Sequence, residues 1–231
     1  DVSSEAGAAF TAATGVAWTA SPGAEFMAAG CWFVAVKPQT AEAALRSLPR
    51  RPEAPLVISI AAGLPLARLR EWLGSDRLIR VMPNTPLLVG QGASVYARGG
   101  GATAEDGAFC ARIFGSLGLC REVPEAWIDA VTALSGSGPA YVFEMVQALV
   151  DAGMAVGLPA DLALDLTVQT VAGAAEMLRQ KQGTPEALRQ AVTSPGGTTA
   201  AGLAVLSAEG FRGMVRRTVE AARARAEELG R

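Results

Sequence analysis

The chain has 231 residues, of which half are hydrophobic and 18% charged, with a net charge of −2. That length suits one large domain or two smaller ones, and the charge balance argues against a nucleic-acid partner, because a basic face leaves a compositional trace. Histidine is absent, which removes Ser-His triads, histidine-liganded zinc and imidazole acid-base chemistry.

In chain order, Asp1-Val2-Ser3-Ser4 reads as the close of a strand, followed by a helical stretch to Thr14. Compact apolar runs at 31–36, 56–60 and 78–82 predict strands, with shorter ones at 94–97 and 119–123. Helix-like segments at 41–48, 64–73 and 104–116 separate them. This alternation predicts an α/β domain with a mostly parallel sheet.

From Trp127 onward strand signals vanish. Apolar residues at helical spacing predict helices over 139–156, from Pro159 toward Gln180, and over 184–192, 198–208 and 211–229. The longer ones are apolar on more than one face, which suits burial against other helices or another subunit. The expected division is an α/β domain over 1–123 and an all-α domain over 124–231.

A dinucleotide site normally reads as a strand, then G-x-G-x-x-G, then a helix. No such pattern is present, and Ser135-Gly136-Ser137-Gly138-Pro139 carries a G-x-G with no strand before it. Gly99-Gly100-Gly101 reads as a surface turn. Ser194-Pro195-Gly196-Gly197-Thr198-Thr199 lies between two predicted helices, and its glycines leave backbone amides open to a carboxylate or phosphate. The plain alternative is an ordinary turn with a Thr cap.

The apolar blocks are broken by Gly, Pro and Arg, and no run is long enough to span a bilayer. Their abundance predicts a buried subunit interface. Cys31, Cys110 and Cys120 form an odd set without metal-ligand spacing, so buried, reduced thiols, no bound metal and a cytoplasmic location are expected. Lysine occurs only at Lys37 and Lys181.

Phe33-Val34-Ala35-Val36-Lys37-Pro38, Ser59-Ile60-Ala61-Ala62-Gly63, Arg80-Val81-Met82-Pro83-Asn84-Thr85-Pro86, Leu134-Ser135-Gly136-Ser137-Gly138-Pro139-Ala140-Tyr141 and Ser194-Pro195-Gly196-Gly197-Thr198-Thr199 follow in the order and spacing of pyrroline-5-carboxylate reductase. The chain resembles that family from residue 1 to 231. The resemblance implies reduction of 1-pyrroline-5-carboxylate to L-proline with NADPH or NADH, the last step of proline synthesis. It also implies an N-terminal Rossmann domain and a C-terminal helical dimerisation domain, in a homo-oligomer that is a dimer or a decamer. The first strand and Gly-rich phosphate loop are expected upstream of Asp1.

At single residues, the resemblance implies that Ala35, Val36, Lys37 and Pro38 touch the cofactor mainly through backbone; the alternative for Lys37 is a solvated surface charge. Ala61, Ala62 and Gly63 are small enough for a nicotinamide ribose to lie close. Asn84 either bonds the carboxamide or orders its loop by an Asx-turn. Ser3 falls where the family holds the adenosine 2'-phosphate. For the substrate, the resemblance implies that Ser194, Gly196, Gly197, Thr198 and Thr199 hold the carboxylate, with the Thr199 hydroxyl near the ring nitrogen as the catalytic contact. Glu125 matches a position that approaches substrate, and reads equally as a helix N-terminal acid.

The chain departs from the family at Gly30, where an Asp is usual, and at Pro22, near a common Asn. The competing readings are a β-hydroxyacid dehydrogenase or imine reductase, the former needing a catalytic Lys in a Gly-rich helix, and a non-catalytic oligomeric relative.

Overall fold

The computed structural model describes residues 3–48 and 53–230; Asp1 and Val2 lie outside the described residues. The chain divides into two compact units. One comprises residues up to 131 together with the last residues from Ala226, and the other is Thr132–Arg225.

The first unit opens with helix α1 (Ser4–Thr14), so Ser3 and Ser4 belong to a helix start, where a strand end was expected. Ser3 supplies the reason: its Oγ accepts the Ala6 N–H at 3.2 Å, satisfying an orphan donor of the first turn. A short helix, α2 (Ala24–Ala28), is pinned to the sheet by Trp32, whose ring stacks on Phe26 with centroids 4.6 Å apart and whose indole N–H donates to the Phe26 carbonyl at 3.1 Å.

The sheet has five strands in the order β1 (Cys31–Val34), β2 (Leu56–Ser59), β3 (Leu78–Met82), β4 (Gly92–Arg98) and β5 (Gly118–Glu122). The first three are parallel neighbours, crossing over through α3 (Pro38–Arg46) and α4 (Leu66–Leu73). Between β3 and β4 there is only a 3₁₀ turn, Thr85–Val89, too short to return the chain to the starting edge, so β4 runs antiparallel to β3. A crossover through α5 (Ala104–Gly115) then makes β5 parallel to β4. Strand β1 stops short of residue 36 because Pro38 opens α3, whose proline occupies a position that needs no N–H.

Alternate strand residues face two cores. Trp32, Val34, Val57 and Leu78 pack with α3, α4 and Ile128, while Leu56, Ile58, Ile79 and Val81 pack with Cys110 and Phe114 of α5. Ile58, Leu69, Leu78 and Ile79 are fully buried, each contributing about 1.5–3 kcal/mol. At the starts of β4 and β5, Gly92 and Gly118 are register partners. Gly118 has φ 139°, and a Cβ on it would lie 2.1 Å from the Gly92 carbonyl oxygen.

The segment after β5 stays with this unit: a 3₁₀ turn at Glu125–Trp127 leads to α6 (Ile128–Val131). Its boundary therefore lies beyond the residue 123 read from the end of strand signals, since Ile128 is part of the first core.

The second unit begins with a π-turn, Thr132–Gly136, in which the Ser137 N–H reaches back to the Thr132 carbonyl at 2.8 Å. The G-x-G of Gly136 and Gly138 thus joins a π-turn to a helix, α7 (Gly138–Ala155). Helices α8 (Ala160–Arg179), α9 (Pro185–Ala191), α10 (Thr198–Ala208) and α11 (Phe211–Leu229) follow. α7 and α8 approach closely where Gly153 faces Ala163. Phe143, Leu149, Leu166 and Val168 of this pair are nonetheless about half exposed or more in the single chain.

Candidate functional site

Because β1, β2 and β3 are parallel, their carboxyl ends at Val34, Ser59 and Met82 share one edge of the sheet, where open α/β sheets bind ligands. Three loops crown that edge. Ala35, Val36 and Lys37 are exposed and lead into Pro38, the first residue of α3. In the second loop the fully buried Ser59 accepts the Ala61 N–H at 3.3 Å, Ala62 is exposed, and Gly63 is buried with φ 75° against Leu229.

The third loop carries Asn84. Its Oδ1 accepts the Ala93 N–H at 2.8 Å, tying the loop to β4. Asn84 thus orders its loop through a bond to a neighbouring strand. The small, exposed crest of Ala35 and Ala62 leaves backbone accessible beside Lys37, a lining that fits a flat, anionic dinucleotide.

Arg80, in the middle of β3, is only 5% exposed. A buried guanidinium needs partners, and two carboxylates supply them. Nη1 donates to Glu125 Oε1 at 3.3 Å and Nη2 to Asp129 Oδ1 at 3.2 Å. The same Glu125 oxygen accepts the N–H of Leu66, the first residue of α4, at 2.7 Å.

In the second unit, Ser194–Thr199 forms a tight turn in which the Gly197 N–H donates to the Ser194 carbonyl at 3.1 Å. Gly196 takes φ 71°. Gly197 is the N-cap of α10 and provides no side-chain bond, so the N–H groups of Thr198, Thr199 and Ala200 have no intrahelical acceptor. A Cβ at Gly197 would lie 2.4 Å from Ser194 Oγ. Ser194, Thr198 and Thr199 are exposed. The turn thus presents three amides without an intrahelical acceptor and the hydroxyls of Ser194, Thr198 and Thr199, groups of the kind that suit a small carboxylate.

The edge loops thus gather Ala35 to Pro38, Ala61 to Gly63 and Asn84, and the turn gathers Ser194 and Gly196 to Thr199. Ser3 is engaged as the cap of α1, and Glu125 in the Arg80 cluster. Arg80, Asp129 and the Leu66 N–H went unnoticed in the sequence. The available signal was a cation inside an apolar strand, which demands buried partners.

Away from these groups, Arg77 holds both oxygens of Asp106, at 2.8 and 2.9 Å, and this pairing keeps the Asp106 carboxyl below its usual range. Burial pushes the Cys110 thiol up to about 12. Cys31, Cys110 and Cys120 are all unpaired. No group among the described residues could hold a metal ion, and no described helix is long and apolar enough to cross a membrane.

Residues 125–229 match the family model for pyrroline-5-carboxylate reductase dimerisation. Pyrroline-5-carboxylate reductase of Glycine max is 50% identical over 197 residues, covering 85% of this chain and 72% of the relative. That of Synechocystis sp. is 45% identical over 199 residues, 86% of this chain and 74% of the relative. A pyrroline-5-carboxylate reductase structure from Coxiella burnetii aligns with TM-score 0.91 and 34% identity over 100% of this chain and 87% of that one. Pyrroline carboxylate reductase of Plasmodium falciparum, solved with NADP bound, aligns with TM-score 0.82 and 36% identity over 87% of this chain and 78% of that one. The chain belongs to the pyrroline-5-carboxylate reductase family.

Proposed function

We propose that this protein reduces 1-pyrroline-5-carboxylate to L-proline with NADPH or NADH, as the last step of proline biosynthesis. The observation that carries this reading is the Ser194–Thr199 turn, which opens α10 with uncapped amides and flanking hydroxyls. These groups suit the ring carboxylate, and in this reading they hold it: Ser194 by its hydroxyl, Gly196, Gly197 and Thr198 by backbone.

Thr199 hydrogen-bonds the ring nitrogen. A cyclic imine is more electrophilic when its nitrogen is protonated or hydrogen-bonded, so a fixed hydroxyl lowers the barrier without a strong general base. This suits a chain with no histidine. When bound there, NADPH or NADH would supply a hydride to the ring carbon of the C=N bond, and the nitrogen, carrying a proton in the iminium form or taking one from water, would end as the secondary amine of proline.

Ala35, Val36, Lys37 and Pro38 are assigned to the cofactor through backbone and the Lys37 stem, Ala61, Ala62 and Gly63 to the nicotinamide ribose, and Asn84 to ordering the edge beside it. Ser3 is assigned to the adenosine side through the start of α1. Lys181 sits at φ 57° in the turn after α8, a setting that does not suit the helix-borne catalytic lysine of a β-hydroxyacid dehydrogenase.

We assign dinucleotide binding to the first unit, read from the sequence as residues 1–123 and extending in the structure to Val131, and substrate binding and dimerisation to the helical second unit. The half-exposed apolar residues of α7 and α8 support a homodimer, with a decamer as the larger assembly. Three unpaired cysteines suit the reducing cytoplasm. The test is oxidation of NADPH by the intact purified protein, dependent on added 1-pyrroline-5-carboxylate. Absence of oxidation at saturating cofactor would overturn the reading.

A further inference from the structure

Helix α4 begins without a cap of its own. The residue before it, Pro65, makes no side-chain hydrogen bond to the first turn, which leaves the Leu66 N–H to find an acceptor elsewhere. It finds Glu125 Oε1 at 2.7 Å, contributed by a residue 59 positions away. A carboxylate at this end also complements the helix dipole.

Glu125 is itself held. Its Oε1 accepts from Arg80 Nη1 at 3.3 Å, and Arg80 is anchored in β3 and tied by its other arm to Asp129 at 3.2 Å. Leu66 directly continues the loop that contains Ala61, Ala62 and Gly63. The other end of that loop is fixed where Ser59 accepts the Ala61 N–H. Both ends are therefore pinned by buried or half-buried polar groups, one by Ser59 and one by Glu125.

We infer that Glu125 is a positioning residue for the cofactor: through the Leu66 N–H, and braced by Arg80, it sets the loop of Ala61, Ala62 and Gly63 against which the nicotinamide ribose lies. The inference rests on assigning that loop to the cofactor. It gives Glu125 a role in NADPH binding rather than in contact with the imine.

Asp129 provides the matched control, since it is an Arg80 partner of the same charge with no bond to Leu66. In steady-state kinetics of the intact protein, Glu125→Ala is expected to raise KM for NADPH about tenfold while changing KM for 1-pyrroline-5-carboxylate less than about twofold. Asp129→Ala, with a comparable loss of thermal stability, is expected to leave KM for NADPH within about twofold of wild type.

Two milder variants cover failure of the alanine protein to fold. Glu125→Asp withdraws the acceptor by one methylene and should reproduce much of the NADPH effect, whereas Glu125→Gln keeps an oxygen for Leu66 and should recover most of it. A rise in KM for the imine instead, equal NADPH effects at positions 125 and 129, or a Gln variant as impaired as Asp would overturn the inference. Failure of the parent reading is distinct, because wild-type protein would then show no imine-dependent NADPH oxidation.

Discussion

Ser194 Oγ occupies the space that a side chain at Gly197 would need: a Cβ there would approach it to 2.4 Å. Gly197→Ala must therefore push the serine hydroxyl aside. We expect KM for 1-pyrroline-5-carboxylate to rise about tenfold and KM for NADPH to hold, because the displaced hydroxyl is the one proposed to hold the ring carboxylate. Steady-state kinetics with each substrate varied in turn would check this.

Thr199→Val keeps the β-branched shape at the start of α10 and deletes the hydroxyl. Turnover should fall by about 10²-fold, the scale of losing one hydrogen bond aimed at developing charge. NADPH affinity, followed by fluorescence titration, should be unchanged. Turnover equal to wild type would remove Thr199 from the chemistry.

The pair formed by Arg77 and Asp106 gives a pH signature. Asp106 has its carboxyl depressed in the folded protein, first by the hydrogen bonds from Arg77, so its stabilisation is present above the ordinary aspartate value of about 4 and is lost as pH falls through the lower folded value. Asp106→Asn should cost about 1–2 kcal/mol at pH 7, the half-exposed arginine limiting the effect. The difference from wild type should shrink as thermal melts are taken below pH 4.

Phe143 is 67% exposed on α7 in the single chain, a costly placement for a phenyl ring. Sedimentation at micromolar concentration should return the mass of a dimer or larger assembly. Phe143→Glu should move the distribution toward monomer and lower the melting temperature by several degrees. A monomeric wild type would count against the homo-oligomer.

The first three strands were legible because each is a short, β-rich and largely apolar run, buried on both faces in β2 and nearly so in β3. Strand ends were less so. β1 yields to α3 where Pro38 can start a helix, and β4 extends to Gly92 because a glycine at that point lets β5 come close. Helix α2 has only five residues, too few to show a period. The π-turn at Thr132–Gly136 has no side-chain pattern that announces it.

The turn at Ser194–Thr199 was legible from its own residues, since Pro, Gly and Thr in that order define the backbone directly. The Arg80 cluster was not. Its carboxylates lie 45 and 49 positions away, and only the packing of α6 beside β3 brings them together. Glu125 was readable as an acid at a helix start. The helix it serves best is α4, which begins 59 positions earlier, and no local pattern could say so.

The facing of Gly92 and Gly118 carries an evolutionary consequence. The obstacle to a side chain at Gly118 is the backbone of Gly92, its carbonyl oxygen, nitrogen and carbon alike, so no change of residue at position 92 can make room. A position held by its neighbour's main chain alone has no compensating substitution to draw on, whereas a Cβ at Gly92 would meet Leu87 and the Leu117 carbonyl oxygen. Among relatives Gly118 should stay fixed and show no covariation with position 92, a contact that co-evolutionary inference would leave undetected.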